Sequence, residues 1–124
     1  MKNDGFIVMI VDDDPSARKA AHRLVKSYGF AVETFASAEE YLDSGRLGAT
    51  ACLVLDLQMP GLNGLELQSR LNDWGYRIPT IFITAFSDEG KRLQALEGGA
   101  LAYLIKPFEG ADLVTRIKDV MQRH

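Results

Sequence analysis

Five short apolar runs constrain this chain more than any other feature: Phe6–Val11, Phe30–Phe35, Ala51–Leu57, Ile78–Thr84 and Leu101–Ile105. Each is followed by helical periodicity or by helix-start signals. That is the pattern of repeated β-α units around a parallel sheet, so the expected fold class is α/β. Val8, Ile10 and Val11, like Leu53, Val54 and Leu55, form nearly continuous apolar stretches suited to central strands covered on both faces. The second run contains Glu33 and alternates more, which suits an edge.

The helices between the runs carry their own signals. Asp14 can cap a helix with Pro15 at its first position, and Ala17, Ala20, Ala21, Leu24, Val25 and Tyr28 share one face before Gly29 ends it. Ser37 with Glu40 makes a capping box for a short second helix, with Ala38, Tyr41 and Leu42 as its apolar side and Gly45 as its stop. Asn63 with Glu66 repeats the arrangement for a third, in which Leu67, Leu71 and Trp74 lie at helical spacing. A fourth, around Asp88–Gly98, offers only Leu93 and Leu96 as large apolar residues. The last carries Leu113, Val114, Ile117, Val120 and Met121 on one side. Tyr28, Phe30, Phe35, Phe82 and Trp74 are expected to fill or border the core.

No linker, low-complexity tract or internal repeat divides the chain, so residues 1–124 are expected to form one domain. No apolar stretch is long enough to span a bilayer. The lone Cys52 sits within an apolar run and cannot form an internal disulfide, and no signal-peptide-like series opens the chain, which together favour a cytoplasmic location. A net charge of −3 and a pI near 5.3 give no general attraction to phosphate backbones, so direct nucleic-acid binding is not expected.

Chemistry concentrates where the strands end. In an open parallel sheet ligands bind beyond the carboxyl ends of the strands, beside a switch in strand order. Asp12, Asp13 and Asp14 follow the first run, Asp56 closes the third, Thr84 closes the fourth, and Lys106 follows the fifth. Asp14 is explained as a helix cap. Asp12 and Asp13 are not needed as caps, and beside Asp56 they would repel one another unless a cation lay between them. Three carboxylates without histidine or cysteine suit a hard cation, magnesium rather than calcium, since the run lacks the spaced ligands and glycine of an EF-hand. No Gly-rich phosphate loop is present. Lys106 is by default a surface charge, but a cis bond to Pro107 could direct its ammonium across the carboxylates. A Thr84 hydroxyl can donate to a phosphoryl oxygen, and the small Ala85 leaves space above it. His22, on the polar side of the first helix, and the terminal His124 are not expected to be ligands.

These residues resemble the receiver domain of two-component response regulators, over essentially the whole chain. The resemblance rests on Ile10-Val11-Asp12-Asp13-Asp14-Pro15, on Val54-Leu55-Asp56-Leu57-Gln58-Met59-Pro60-Gly61 with Gly64, on Ile83-Thr84-Ala85 and on Lys106-Pro107-Phe108. The opening run and the Lys-Pro-Phe ending look most like receivers attached to helix-turn-helix transcription factors. The resemblance implies a five-stranded parallel doubly wound sheet in the order 2-1-3-4-5, the order of the flavodoxin-like fold. It implies that Asp56 accepts a phosphoryl group from a sensor histidine kinase. It implies magnesium, or manganese in its place, on Asp13, Asp56 and the Gln58 backbone carbonyl, with Asp12 acting through a metal-bound water. Thr84, Ala85 and Lys106 would bind the phosphoryl oxygens, and Thr84 with Tyr103 would switch the surface of the fourth helix, fifth strand and fifth helix. That surface would serve a phosphorylation-dependent homodimer, or an output domain outside these residues. Asn63, Gln58 and Phe86 stand where receivers vary, and Gln58 and Phe86 bear on how long the phosphoryl group lasts.

Two other readings use the same residues. Asp12 and Asp14 superficially satisfy the Asp-x-Asp pair of haloacid-dehalogenase-like phosphatases, but no acidic pair follows Lys106 in a strand-end loop, since Glu109 and Asp112 read as part of the last helix, and the chain is short for such a phosphatase with a cap. A receiver-like module could also bind partners without being phosphorylated.

Overall fold

The computed structural model describes residues 6–122, and His124 lies outside them. Five strands, β1 (Ile7–Val11), β2 (Ala31–Phe35), β3 (Thr50–Asp56), β4 (Thr80–Thr84) and β5 (Ala102–Ile105), form one parallel sheet in the order β2-β1-β3-β4-β5. The helices are α1 (Pro15–Ser27), α2 (Ala38–Leu42), α3 (Gly64–Asp73), α4 (Glu89–Glu97) and α5 (Gly110–Gln122). A single 3-10 turn, Leu47–Ala49, leads into β3 and had no counterpart in the sequence reading.

Strand alternation divides the core into two layers. Met9, Val11, Leu53, Leu55, Leu57 and Phe82 pack on one face with Leu67 and Leu71 of α3 and Ala95 of α4. Val8, Ile10, Cys52, Val54, Ile81 and Ile83 pack on the other with Val25 of α1 and Leu113, Ile117 and Val120 of α5. The central strands are therefore covered on both sides, whereas β2, with half-buried Glu33 and Thr34, is an edge. Glu33 forms a bidentate pair with Arg46, which keeps that charge satisfied at the rim.

The caps follow the expected chemistry. The Asp14 carboxylate accepts from Ser16 N with Pro15 at the first helical position, and Asn63 and Glu66 form a reciprocal capping box. At α2 the box is displaced by one residue: Ser37 accepts from Glu40 N, but the Glu40 carboxylate reaches back to Ala36 N rather than to Ser37. Asp88 and Gly98 bracket α4, so both expected end residues are caps.

Several large residues lie elsewhere than expected. Trp74 caps the end of α3 and is 55% exposed, Tyr28 caps α1 and is 48% exposed, and Leu93 is 47% exposed. Tyr28 and Trp74 continue a helical apolar pattern past the last turn of their helices, whereas Leu93 lies within α4 on an exposed side. At α4 the small Ala95 makes the buried contact, because the helix lies close to the sheet. Ala20 is likewise exposed, and Glu109, read as helical, sits one residue before α5.

Leu67 and Trp74, placed together by periodicity, should therefore separate in a stability measurement. Leu67→Ala should cost roughly 2–5 kcal/mol in urea unfolding, whereas Trp74→Ala should cost less than about 1 kcal/mol.

Candidate acidic site at the carboxyl edge of the sheet

Asp12 is the first residue past β1. Its amide still donates to Phe35 O at 3.1 Å, continuing the ladder to β2, and its Oδ1 accepts from Asp14 N at 3.0 Å. Asp12 thus also shapes the β1–α1 turn, a structural task the sequence reading had not assigned to it. Its side chain is 1% exposed, while Asp13 beside it is exposed at the mouth of the acidic cluster. Asp56 closes β3 at 5% exposure, and its Oδ1 accepts from Gln58 N at 3.1 Å. The Gln58 side chain is exposed, so this residue approaches the site through its backbone.

Gly64 lets the chain after Asp56 turn tightly into α3. A Cβ there would lie 2.5 Å from the Asp56 carbonyl oxygen and 3.0 Å from both Leu57 Cα and the Phe82 ring. Only glycine fits without displacing the strand that carries Asp56.

Carboxylate oxygens of Asp12, Asp13 and Asp56 lie within 4.8 Å of one another. Lys106 reaches across from the end of β5, its Nζ 3.2 Å from Asp12 Oδ2 and 3.7 Å from Asp56 Oδ2. The Lys106–Pro107 bond is cis, the form considered from the sequence. The Lys106 amide donates to Thr84 O at 2.7 Å, which ties the β5 end to β4. Leu57 N donates to Ile83 O, so Thr84 stands one residue beyond the point where β3 and β4 part. Thr84 is fully buried, its Oγ1 accepting from Phe86 N at 3.2 Å, while Ala85 and Phe86 are exposed.

Tyr103 lies opposite Phe82 in the β4–β5 register, which puts it on the same sheet face as Thr84. The ring packs against the core layer of that face, and its hydroxyl is shielded from solvent with no hydrogen-bond partner among the described residues. His22 takes no part in the acidic cluster. Arg18, which no sequence signal singled out, donates to the Asp12 carbonyl at 2.9 Å and fastens α1 to the site.

The electrostatics follow from burial. Desolvation first, then the adjacent Asp12 carboxyl, raises the Asp56 carboxyl from its ordinary value to about 7, against the opposing pull of Lys106 and the Gln58 N–H. Two buried acids sharing one ammonium are short of positive charge. Three carboxylates converging in an oxygen-only set fit a hard divalent cation. Asp12 and Lys106 also border a mostly apolar cavity of about 400 Å³ between α1 and the start of α5, which Asp56 does not line.

The model for the response regulator receiver domain matches residues 8–118. Among similar proteins, nodulation protein W of Bradyrhizobium diazoefficiens is 40% identical over 94% of this chain and 52% of its own length. Response regulator protein TodT of Pseudomonas putida is 34% identical over 98% of this chain and 54% of its own. The chain thus spans about half the length of these relatives. Among solved structures, response regulator StyR superposes with a TM-score of 0.87 at 41% identity, over 95% of this chain and 60% of StyR. FixJ-N superposes with a TM-score of 0.86 at 33% identity, over 96% of this chain and 95% of that one.

The raised Asp56 pKa predicts the pH dependence of the cation-free protein. The folded state holds a proton that the unfolded state has released between about pH 4 and pH 7, so stability falls as pH rises through that window. Urea unfolding with chelator from about pH 5 to pH 8 should show a loss on the order of 1–4 kcal/mol. Asp56→Asn should remove most of this slope.

Proposed function

This chain belongs to the response regulator receiver domain family, and we propose that within it Asp56 is the phosphoacceptor of a phosphorelay switch. The observation that carries the reading is the convergence of Asp12, Asp13 and Asp56 with the Lys106 ammonium at one sheet edge. The matching positions in sequence order, from the acidic run after β1 to Lys106-Pro107 after β5, support it.

In the proposed reaction an Asp56 carboxylate oxygen attacks phosphorus in line. A P–N bond to a histidine of the donor kinase breaks as the P–O bond forms, and the electron pair leaves with the imidazole. Asp12, Asp13, Asp56 and the Gln58 carbonyl would hold magnesium, with manganese as an alternative, and the cation would neutralise charge on the phosphoryl oxygens. Lys106 binds one phosphoryl oxygen as a point charge, and Thr84 donates its hydroxyl to another. The exposed Ala85 leaves the approach open. Because the residues contribute position and electrostatics rather than proton transfer, a small acyl phosphate can replace the kinase. The product is a mixed anhydride that water hydrolyses, so the domain acts as a timed switch rather than as a turnover enzyme on an outside substrate.

Receiver-family proteins partner with sensor kinases and often carry output domains. The relatives include transcriptional regulatory proteins TdiR and FixJ, and the proposed role of this chain is the same: control of an output domain or of a phosphorylation-dependent homodimer. No helix among the described residues is long and apolar enough to cross a membrane, and the proposed location is the cytoplasm. The phosphoryl group would draw Thr84 toward it and release the space beside Tyr103, whose ring shares that sheet face. The surface of α4, β5 and α5 would change as a result. Such a shift needs differential affinity for the two states, which the Thr84 hydrogen bond would supply.

Incubation with acetyl phosphate and magnesium should add one phosphoryl group, and Asp56→Asn should take up none. Equal uptake by the mutant in mass spectrometry would move the acceptor elsewhere, Asp12 first. No uptake by the wild type would favour a module that binds partners without phosphorylation. Magnesium at a hundredfold excess over its dissociation constant should stabilise the fold by about 2.7 kcal/mol, a gain that Asp13→Ala should largely lose.

The coupling has its own signature. Beryllofluoride with magnesium should shift the NMR signals of Thr84, Tyr103 and α4. Thr84→Ala should reduce the distant shifts while leaving binding of the phosphoryl mimic partly intact. Equal perturbation around Tyr103 in both proteins would disprove the coupling.

A further inference from the structure

We infer that Glu39, on α2, is a positioning residue for the cation site, acting through the loop that joins Asp56 to α3. The inference rests on the reading of Asp12, Asp13, Asp56 and the Gln58 carbonyl as a cation site. Gln58 lies at the start of that loop, so whatever steadies the loop steadies a ligand.

The base of the loop is held from nearby. Leu57 N donates to Ile83 O at 2.9 Å, Gln58 N to Asp56 Oδ1 at 3.1 Å, and Gly64 N to Leu57 O at 3.0 Å. Asn63 N is satisfied by Glu66 of α3. The far end of the loop is held from a distance: Leu62 N, one residue before the Asn63 cap of α3, donates to Glu39 Oε2 at 2.8 Å, across 23 residues of sequence. Among the described residues this is the one hydrogen bond between the loop and an element outside β3, β4 and α3. Its neighbour Glu40 serves α2 locally by accepting from Ala36 N, so the two adjacent acids have different tasks.

The local backbone is shaped to admit the carboxylate. Gly61 has a φ of +74°, and a Cβ there would lie 2.7 Å from Glu39 Oε2. A side chain at 61 would both strain the backbone and push the carboxylate off the loop. An ionised acceptor makes the bond stronger than a neutral one. The Leu62 N–H, Glu39's own amide and then Arg70 hold the Glu39 carboxyl below its ordinary range, so the acceptor is charged at neutral pH.

A plain structural tie and a positioning role predict different things. A tie alone lowers the melting temperature equally with and without magnesium. A positioning role also weakens the response to magnesium, because a loosened Gln58 carbonyl must be ordered when the ion binds. Groups hydrogen-bonded directly to a metal ligand cost about 10-fold or more in affinity when removed, and Glu39, acting through the loop, is set at the low end of that range.

The test is a magnesium titration followed by thermal unfolding at fixed ionic strength, on wild type, Glu39→Ala and Glu39→Gln. Glu39→Ala is expected to raise the apparent magnesium dissociation constant about 10-fold. Glu39→Gln keeps an oxygen that accepts from Leu62 N and is expected to stay within about 3-fold of wild type. Equal magnesium affinity in wild type and Glu39→Ala would overturn the role of Glu39 while leaving the cation site standing. An effect of Glu39→Gln as large as that of Glu39→Ala would overturn it too, by assigning the effect to charge rather than to the bond. A wild type indifferent to magnesium would overturn the cation site itself.

Discussion

Two carboxylates, Asp12 and Asp56, are held almost out of water at neighbouring strand ends, with the Lys106 ammonium at 3.2 and 3.7 Å as their shared counter-charge. One positive charge against two buried negatives leaves the site electrostatically incomplete, and burial makes the deficit costly. The protein therefore maintains a local unfavourable arrangement, with the Asp56 carboxyl pushed up to about 7, that a divalent ion or a proton relieves. Local violations of folding rules are expected where function resides, provided that the surrounding structure is strong enough to impose them.

The surrounding structure is strong enough because the strands that carry the acids are central. β1 and β3 are flanked by other strands and packed on both faces, so the backbone at Asp12 and Asp56 cannot drift apart to ease the repulsion. Parallel topology then adds Thr84 and Lys106 from β4 and β5 at the same edge, since every strand of the sheet ends there. Local fastenings complete the frame: Arg18 on the Asp12 carbonyl, Gly64 against the Asp56 carbonyl, and Glu39 on Leu62 where the loop enters α3. Thr84 and Tyr103 share one sheet face at this edge.

Much of this was readable from the chain. Strand alternation and helix caps are local properties, so the five runs, the caps at Asp14, Ser37 and Asn63, and the edge character of the second strand could all be read there. The site residues stood out because ionisable groups directly follow apolar strands, where a soluble fold has no local use for them. Periodicity failed where it outran the packing: Trp74 and Tyr28 continue apolar faces past the ends of their helices, and Leu93 lies on an exposed side of α4. Arg18 and Glu39 were invisible for a different reason. Each acts on a backbone group distant in sequence or hidden in a turn, and a charged side chain on a helix reads by default as a solvated face.

The sequence by itself determined the element types, the two-sided burial of the central strands and the chemical identity of the site: carboxylates, a lysine and a hydroxyl at strand ends. These depend on neighbours a few residues apart, whose spacing is written in the chain. Only the tertiary structure decided that the carboxylates of Asp12, Asp13 and Asp56 come within 4.8 Å, that Lys106 lies closer to Asp12 than to Asp56, and that the Asp56 carboxyl is strongly perturbed. Electrostatic interactions vary steeply with separation and burial, and separations across a sheet are set by packing between segments far apart in sequence.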